Sequence, residues 1–204
     1  METGGASRPL HVLLTGPPGI GKTTVCKKVA SALEKNGSRF DGFYTEEVRD
    51  QSGSRIGFDV VRVTDPGRRL SLARLKSLTE AQKDSKYQVG NYRVFLDNFE
   101  AVALSTLDSD TDILFIDEIG KMELFSKDFK KRVADVLLGS FKKAFVIGTI
   151  PQIHKVPQQH AMLFEKLHAD ARIKIINVSH GNRNSLPEEI MRYFSKFVRL
   201  NTHP

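Results

Sequence analysis

Gly16, Gly21, Lys22 and Thr23 stand in the order G-x-x-x-x-G-K-[ST], inside the string Gly16-Pro17-Pro18-Gly19-Ile20-Gly21-Lys22-Thr23-Thr24. These residue types suit one task, holding the phosphate tail of a nucleotide. Glycines let the backbone fold into a nest of inward N–H donors, and the helix that follows turns its positive end toward the anion. Lys22 would add a point charge over the β- and γ-phosphates, and the Thr23 hydroxyl would ligate Mg²⁺. All nine residues from Gly16 to Thr24 are therefore candidate nucleotide contacts. An ordinary Gly/Pro-rich turn between strand and helix would need no Lys-Thr pair at the helix start.

A second constellation lies far downstream. Ile113-Leu114-Phe115-Ile116 is an apolar run that ends in Asp117 and Glu118. A buried strand of this kind would deliver Asp117 to the metal, and Glu118 could accept a proton from a water in line with the γ-phosphate. Lys22 and Asp117 are far enough apart for a further strand to come between the two motif strands. The plain alternative, a polar loop after a core strand, loses weight beside Lys22 and Thr23. Weaker candidates follow the same logic. Thr149 ends the next apolar stretch, where a hydroxyl could sense phosphate. Arg183 follows Asn182 past the last strand and could stack on a base or reach a phosphate. Arg183 joins Glu118 and Lys22 as a catalytic candidate, and Asn182 joins it as a nucleotide contact. Lys121 and Glu123 could order the loop around the attacking water or simply pair with each other.

The elements that must position these groups are readable from periodicity. Val12-Leu13-Leu14 is a short buried strand, and Val25, Val29, Ala32 and Leu33 fall at helical spacing over 21–35, closed by Asn36-Gly37. Strands are expected over 40–48 and 55–63, joined by a hairpin loop at 50–54. From Thr64 to Val89 periodicity is lost, which predicts a mobile surface insertion. A strand over 92–96 precedes a helix with Asp97 and Glu100 as an acidic capping box and Phe99, Val102, Ala103 and Leu107 on one face. Ser126 is expected to cap a helix striped by Phe129, Val133, Val136 and Leu137. A strand over 144–147, a helix from Pro157 to about His168, and a strand over 172–178 come next. The last helix carries a Ser185/Glu188 capping box and the apolar residues Ile190, Tyr193, Phe194, Phe197 and Val198. Alternating apolar strands and amphipathic helices predict a parallel sheet between helix layers, with ligands beyond the C-terminal strand ends.

Composition narrows the class. The chain has 204 residues, 40% hydrophobic and 27% charged, as expected for one globular domain over 10–204 behind a disordered tail over 1–9. The tail has no hydrophobic core of a signal peptide, and no apolar run spans a membrane, so the default location is the cytoplasm. Cys26 is the single cysteine and reads as a small packed thiol. The net charge is +7, but the basic runs Lys130-Lys131-Arg132 and Lys142-Lys143 are short, so a nucleic-acid partner is not called for.

Together these residues resemble a known family. Gly16 to Thr24, the strings D-G-F-Y-T-E-E-V-R (Asp41 to Arg49), R-I-G-F-D-V (Arg55 to Val60) and I-D-E-I-G-K-M-E-L-F (Ile116 to Phe125), and Asn182-Arg183-Asn184 resemble the cancer-related nucleoside-triphosphatases of vertebrates and their archaeal and bacterial relatives. The resemblance implies a three-layer α/β P-loop fold with a RecA-like, mostly parallel sheet flanked by helices. It also implies slow, Mg²⁺-dependent hydrolysis of ATP, GTP, CTP and UTP with loose base choice; separately, a monomer is expected. Lys22, Thr23, Asp117 and Glu118 match the family's loop, metal and base positions. No N-K-x-D string for reading guanine occurs. Three other readings stay open: a small nucleotide or nucleoside kinase, a nucleotide switch with a stimulating partner, and a polynucleotide-stimulated ATPase.

Overall fold

The computed structural model describes residues 11–79, 85–139 and 144–195. The expected tail, Lys142-Lys143, Phe197 and Val198 lie outside these residues. The chain runs through β1 (His11–Thr15), α1 (Lys22–Lys35), β2 (Phe40–Arg49), β3 (Arg55–Arg62), β4 (Arg69–Leu75), β5 (Gln88–Val89), β6 (Tyr92–Val94) and α2 (Leu96–Leu107). It continues through β7 (Ile113–Asp117), α3 (Lys127–Leu138), β8 (Phe145–Thr149), α4 (Ala161–Ala169), β9 (Ile173–Asn177) and α5 (Leu186–Ser195).

All nine strands join one sheet in the order β5-β6-β4-β3-β2-β7-β8-β1-β9. The sheet is mixed. From β9 to β2 every neighbour is parallel, and from β2 to β5 every neighbour is antiparallel. Strand parity divides the core. Val12, Leu14, Ile113, Phe115 and Ile147 meet α1 and α5 on one face. Leu13, Phe43, Leu114, Ile116 and Val146 meet α2, α3 and α4 on the other. Both faces of β1, β7 and β8 are thus covered, which is why these strands read as apolar runs. On the second face Phe43, Phe99 and Phe129 meet edge to face, with centroids 4.9–5.7 Å apart.

Helix α1 buries Val25, Cys26, Val29, Ala30 and Leu33, and Gly37 (φ +64°) ends it while the Ser38 N–H donates to the Leu33 carbonyl at 3.0 Å. The hairpin loop after β2 is held by Asp50 Oδ1, which accepts from the N–H groups of Ser52 and Ser54 at 2.9 Å each. Ser126 caps α3 as expected, accepting from the Phe129 N–H at 3.0 Å.

Several expectations are corrected. The region 64–89 is not wholly an insertion: β4 pairs with β3, and β5 pairs with β6. A register shift between Phe58 and Asp59 breaks the alternation, so adjacent Leu72 and Ala73 are both buried and the period-2 signal vanishes. The Asp97/Glu100 box does not form, because α2 begins at Leu96 with no side-chain cap. Glu100 Oε1 instead accepts from Ser126 Oγ at 2.6 Å, tying α2 to the α3 cap. Ser185 bonds Glu189 Oε1 at 2.7 Å rather than Glu188. The helix expected from Pro157 opens as a short 3-10 turn over Gln158–His160 before α4.

Candidate active site

The phosphate loop hangs between the end of β1 and the start of α1. Gly16 is buried with φ +146°, and a Cβ there would lie 2.8 Å from the Val178 carbonyl oxygen. Only glycine fits that combination of backbone shape and close approach. Pro17, Pro18 and Gly19 are exposed, and the Ile20 N–H closes the turn onto the Pro17 carbonyl at 3.3 Å. Gly21 (φ +107°) is the N-cap of α1. Lys22 Nζ donates to the Gly16 carbonyl at 3.2 Å, so the ammonium lies across the loop. Thr23 is half-buried and Thr24 exposed at the first turn.

Asp117 ends β7, and β8 lies between β7 and β1 in the sheet. The intervening strand therefore exists, supplied by residues after Asp117 rather than by those between Lys22 and Asp117. The chain leaves β7 with the Ile119 N–H donating to the Thr149 carbonyl at 2.9 Å, which ties the loop to the end of β8. Thr149 is fully buried and its hydroxyl donates to Asp117 Oδ1. The hydroxyl thus fixes the Asp117 carboxylate.

Asp117 is 2% exposed, and its Oδ2 is buried without a hydrogen-bond partner. Burial raises its pKa, against the pull of Thr149, Thr23 and Lys22. An orphaned carboxylate oxygen beside the Thr23 hydroxyl is a hard-oxygen donor pair. Among the described residues no cluster of three or more His, Cys, Asp or Glu could hold a metal. The Thr23 and Asp117 oxygens could hold a hard divalent cation whose shell is completed by phosphates and waters.

Glu118 is pushed up to about 7, first by burial, then by the neighbouring Asp117 charge, with Lys22 opposing. A carboxylate poised there is suited to accept a proton at neutral pH. The Asp117–Glu118 peptide is cis. Lys121 is exposed whereas Glu123 is 3% exposed, so the two occupy different environments. Cys26 is buried, and its thiol is raised well above its ordinary value, chiefly by burial, as a packed thiol should be.

Beyond β9 the chain turns back toward the loop. Asn182 Oδ1 accepts from the Ser179 N–H at 2.8 Å, and its Nδ2 donates to the Asn177 carbonyl at 2.9 Å. Asn182 thus holds the turn, and Arg183 reaches the phosphate loop: its Nη1 donates to the Ile20 carbonyl at 3.4 Å. Arg183→Ala is expected to weaken nucleotide affinity about three- to tenfold with little change in folding; isothermal titration checks this, and unaltered affinity would remove Arg183 from the site.

A further part of the site is not legible in the motifs. Tyr44 sits in register with Asp117, and Lys27 on α1 lies over the Tyr44 ring at 4.1 Å and pairs with Glu46. Glu46 also pairs with Arg69, which reaches Asp59 at 3.2 Å. The phosphate-loop helix is thereby linked to the antiparallel wing. The signal in the sequence is the unusual string from Tyr44 to Arg49, whose polar residues occupy a strand on both faces.

A family model described as NTPase matches residues 11–191. The chain belongs to this NTPase family. The cancer-related nucleoside-triphosphatase homolog of Mus musculus is 43% identical over 189 residues, spanning 89% of this chain and 94% of its own length. The solution structure of a human cancer-related nucleoside triphosphatase has a TM-score of 0.73 at 38% identity, covering 94% of this chain and 100% of that one. The crystal structure of THEP1 from Aquifex aeolicus has a TM-score of 0.68 at 30% identity, covering 90% and 98%. Among the described residues no helix is long and apolar enough to cross a membrane.

Proposed function

We propose that this protein hydrolyses nucleoside 5′-triphosphates to the diphosphate and phosphate, with Mg²⁺, slowly and with loose base choice. The observation that carries the reading is the meeting of two distant motifs: Lys22 and Thr23 at the head of α1, and Asp117 and Glu118 at the end of β7, with Asp117 bonded to Thr149 and its charge favoured by Thr23 and Lys22. The names of the similar proteins support the same activity.

In this reading the loop amides from Gly16 to Thr24 and Lys22 bind the phosphate tail. Thr23 and Asp117 would hold Mg²⁺, which when bound would neutralise charge on the β- and γ-phosphate oxygens. Glu118 orients a water and takes its proton as the water oxygen bonds to the γ-phosphorus. The bond from that phosphorus to the bridging oxygen breaks, and its electron pair leaves with the diphosphate. Arg183 contacts the nucleotide beside Ile20. An arginine acting on the transition state is worth about 10³–10⁵ in rate. Arg183 rests on a main-chain carbonyl, which supports slow turnover. The absence of a guanine-reading string supports loose base choice. A monomer acting on free nucleotides in the cytoplasm belongs to the same reading, consistent with a lone buried cysteine that needs no oxidising compartment.

The test is phosphate release from ATP, GTP, CTP and UTP, with Mg²⁺ and with excess chelator. Comparable slow rates on all four, lost with chelator, are expected. Tight nucleotide binding with no release on any of them would refute hydrolysis as the intrinsic activity.

A further inference from the structure

Glu123 has no part in the scheme above, yet it is among the most buried acids of the chain. It opens a short 3-10 turn (Glu123–Phe125) in the loop that carries Glu118. Its carboxyl is raised well above the ordinary glutamate range, first by burial and then by Glu118 and, more weakly, Asp117. The groups that oppose this are the main-chain N–H groups of Glu123 and Gly120. Burial and a neighbouring carboxylate both favour the protonated form of this acid.

The geometry explains why it is there. A Cβ at Gly120 would collide with Glu118 Oε1 and would lie 2.7 Å from Glu123 Oε2. The two carboxyl groups therefore border the same side-chain-sized space, and Gly120 leaves it open. The backbone beneath Glu123 is fixed on both sides: the Leu124 N–H donates to the Gly120 carbonyl at 3.0 Å, and the Ser126 N–H to the Glu123 carbonyl at 3.0 Å. Ser126 in turn is fully buried and caps α3. Glu118, by contrast, is only partly buried.

We propose that Glu123 is a positioning residue that braces the Glu118 carboxyl across Gly120, holding one oxygen so that the other is presented to the attacking water. Two ionised carboxylates would repel in this space, so the brace is a protonated acid that donates to Glu118 and retains its proton throughout turnover. The inference rests on the reading of Glu118 as the base. It requires a donor of glutamate's length at position 123 and no side chain at position 120.

Glu123→Met fills the volume but cannot donate, and Glu123→Gln can donate without charge. In steady-state phosphate release from Mg²⁺-ATP, Glu123→Met is expected to lower kcat about ten- to hundredfold with KM within about threefold, the scale on which small misplacements act. Glu123→Gln is expected to restore kcat to within about threefold of the parent. Parent kcat in Glu123→Met, a Gln variant as slow as the Met variant, or a loss confined to KM would overturn the brace. Gly120→Ala places a methyl in the shared space and should reproduce the kcat loss; parent kcat there overturns the proposal even if Glu123→Met does not fold. Glu118→Gln separates the two readings. An active Glu118→Gln removes the base itself, whereas an inactive Glu118→Gln beside a fully active Glu123→Met removes only the brace.

Discussion

Glu118→Gln is expected to lower kcat for triphosphate hydrolysis by about 10²–10⁴-fold, the usual worth of a positioned general base. The change is nearly isosteric, so the loop tied at Ile119 to Thr149 should keep its path. Nucleotide affinity should be kept or improved, because the proposed phosphate contacts lie over Gly16 to Thr24 and Gln removes a negative charge from the site. The pH dependence follows from the same group. Burial and Asp117 raise Glu118 to about 7, so it is protonated, and idle, below that pH. The kcat/KM of the parent should rise with pH through about 7, since that ratio reports the free enzyme. The residual activity of Glu118→Gln should lack this limb. Equal kcat in parent and variant would show that another group accepts the proton.

Much of this site can be read before any coordinates, for a physical reason. The phosphate loop is local: its glycines, its lysine and the helix behind it are neighbours in sequence, so composition and spacing carry the whole message. The strand before Asp117 is buried on both faces, and a run of four apolar residues is enough to show that. What stays hidden is non-local. Nothing in Ala144 to Thr149 announces that β8 enters between β1 and β7, because strand order is set by how helices pack on the sheet. The strand Arg69–Leu75 escapes a reading by periodicity because a register shift opposite Phe58 destroys the alternation that would show it. From the sequence, Glu123 and Lys121 either order the loop or pair with each other, since sequence proximity says nothing about which side chain the core takes in. The capping residues divide in the same way. Ser126 behaves as its local string predicts, whereas Glu100 is drawn from its own helix start to the Ser126 hydroxyl by the packing of α2 on α3.

Asp117→Asn is expected to separate stability from function. Asp117 is almost completely buried, and desolvation raises its pKa despite the Thr149, Thr23 and Lys22 interactions. The sign follows directly. A carboxyl whose folded pKa lies above its unfolded value is disfavoured as an anion in the fold, so above that range its charge costs stability, and the cost is relieved as pH falls through the folded pKa. Asparagine keeps an oxygen for the Thr149 hydroxyl and removes the buried charge. Without ligands the variant should therefore melt higher than the parent at pH 7, by about 2–4 °C for each kcal/mol recovered in a chain of this length. That gain should shrink as the pH is lowered. Function should move the opposite way. In the proposed reading the orphaned Oδ2 takes the divalent cation, so the variant should lose nearly all Mg²⁺-dependent phosphate release. Mg²⁺-nucleotide should raise the parent's melting temperature through binding to the folded state. It should raise the variant's little more than nucleotide with chelator does. A variant that melts lower than the parent at pH 7, or that keeps its Mg²⁺-dependent shift, would contradict this account of Asp117. A more stable but inactive Asp117→Asn variant would mean that the uncompensated charge is kept for the cation it receives.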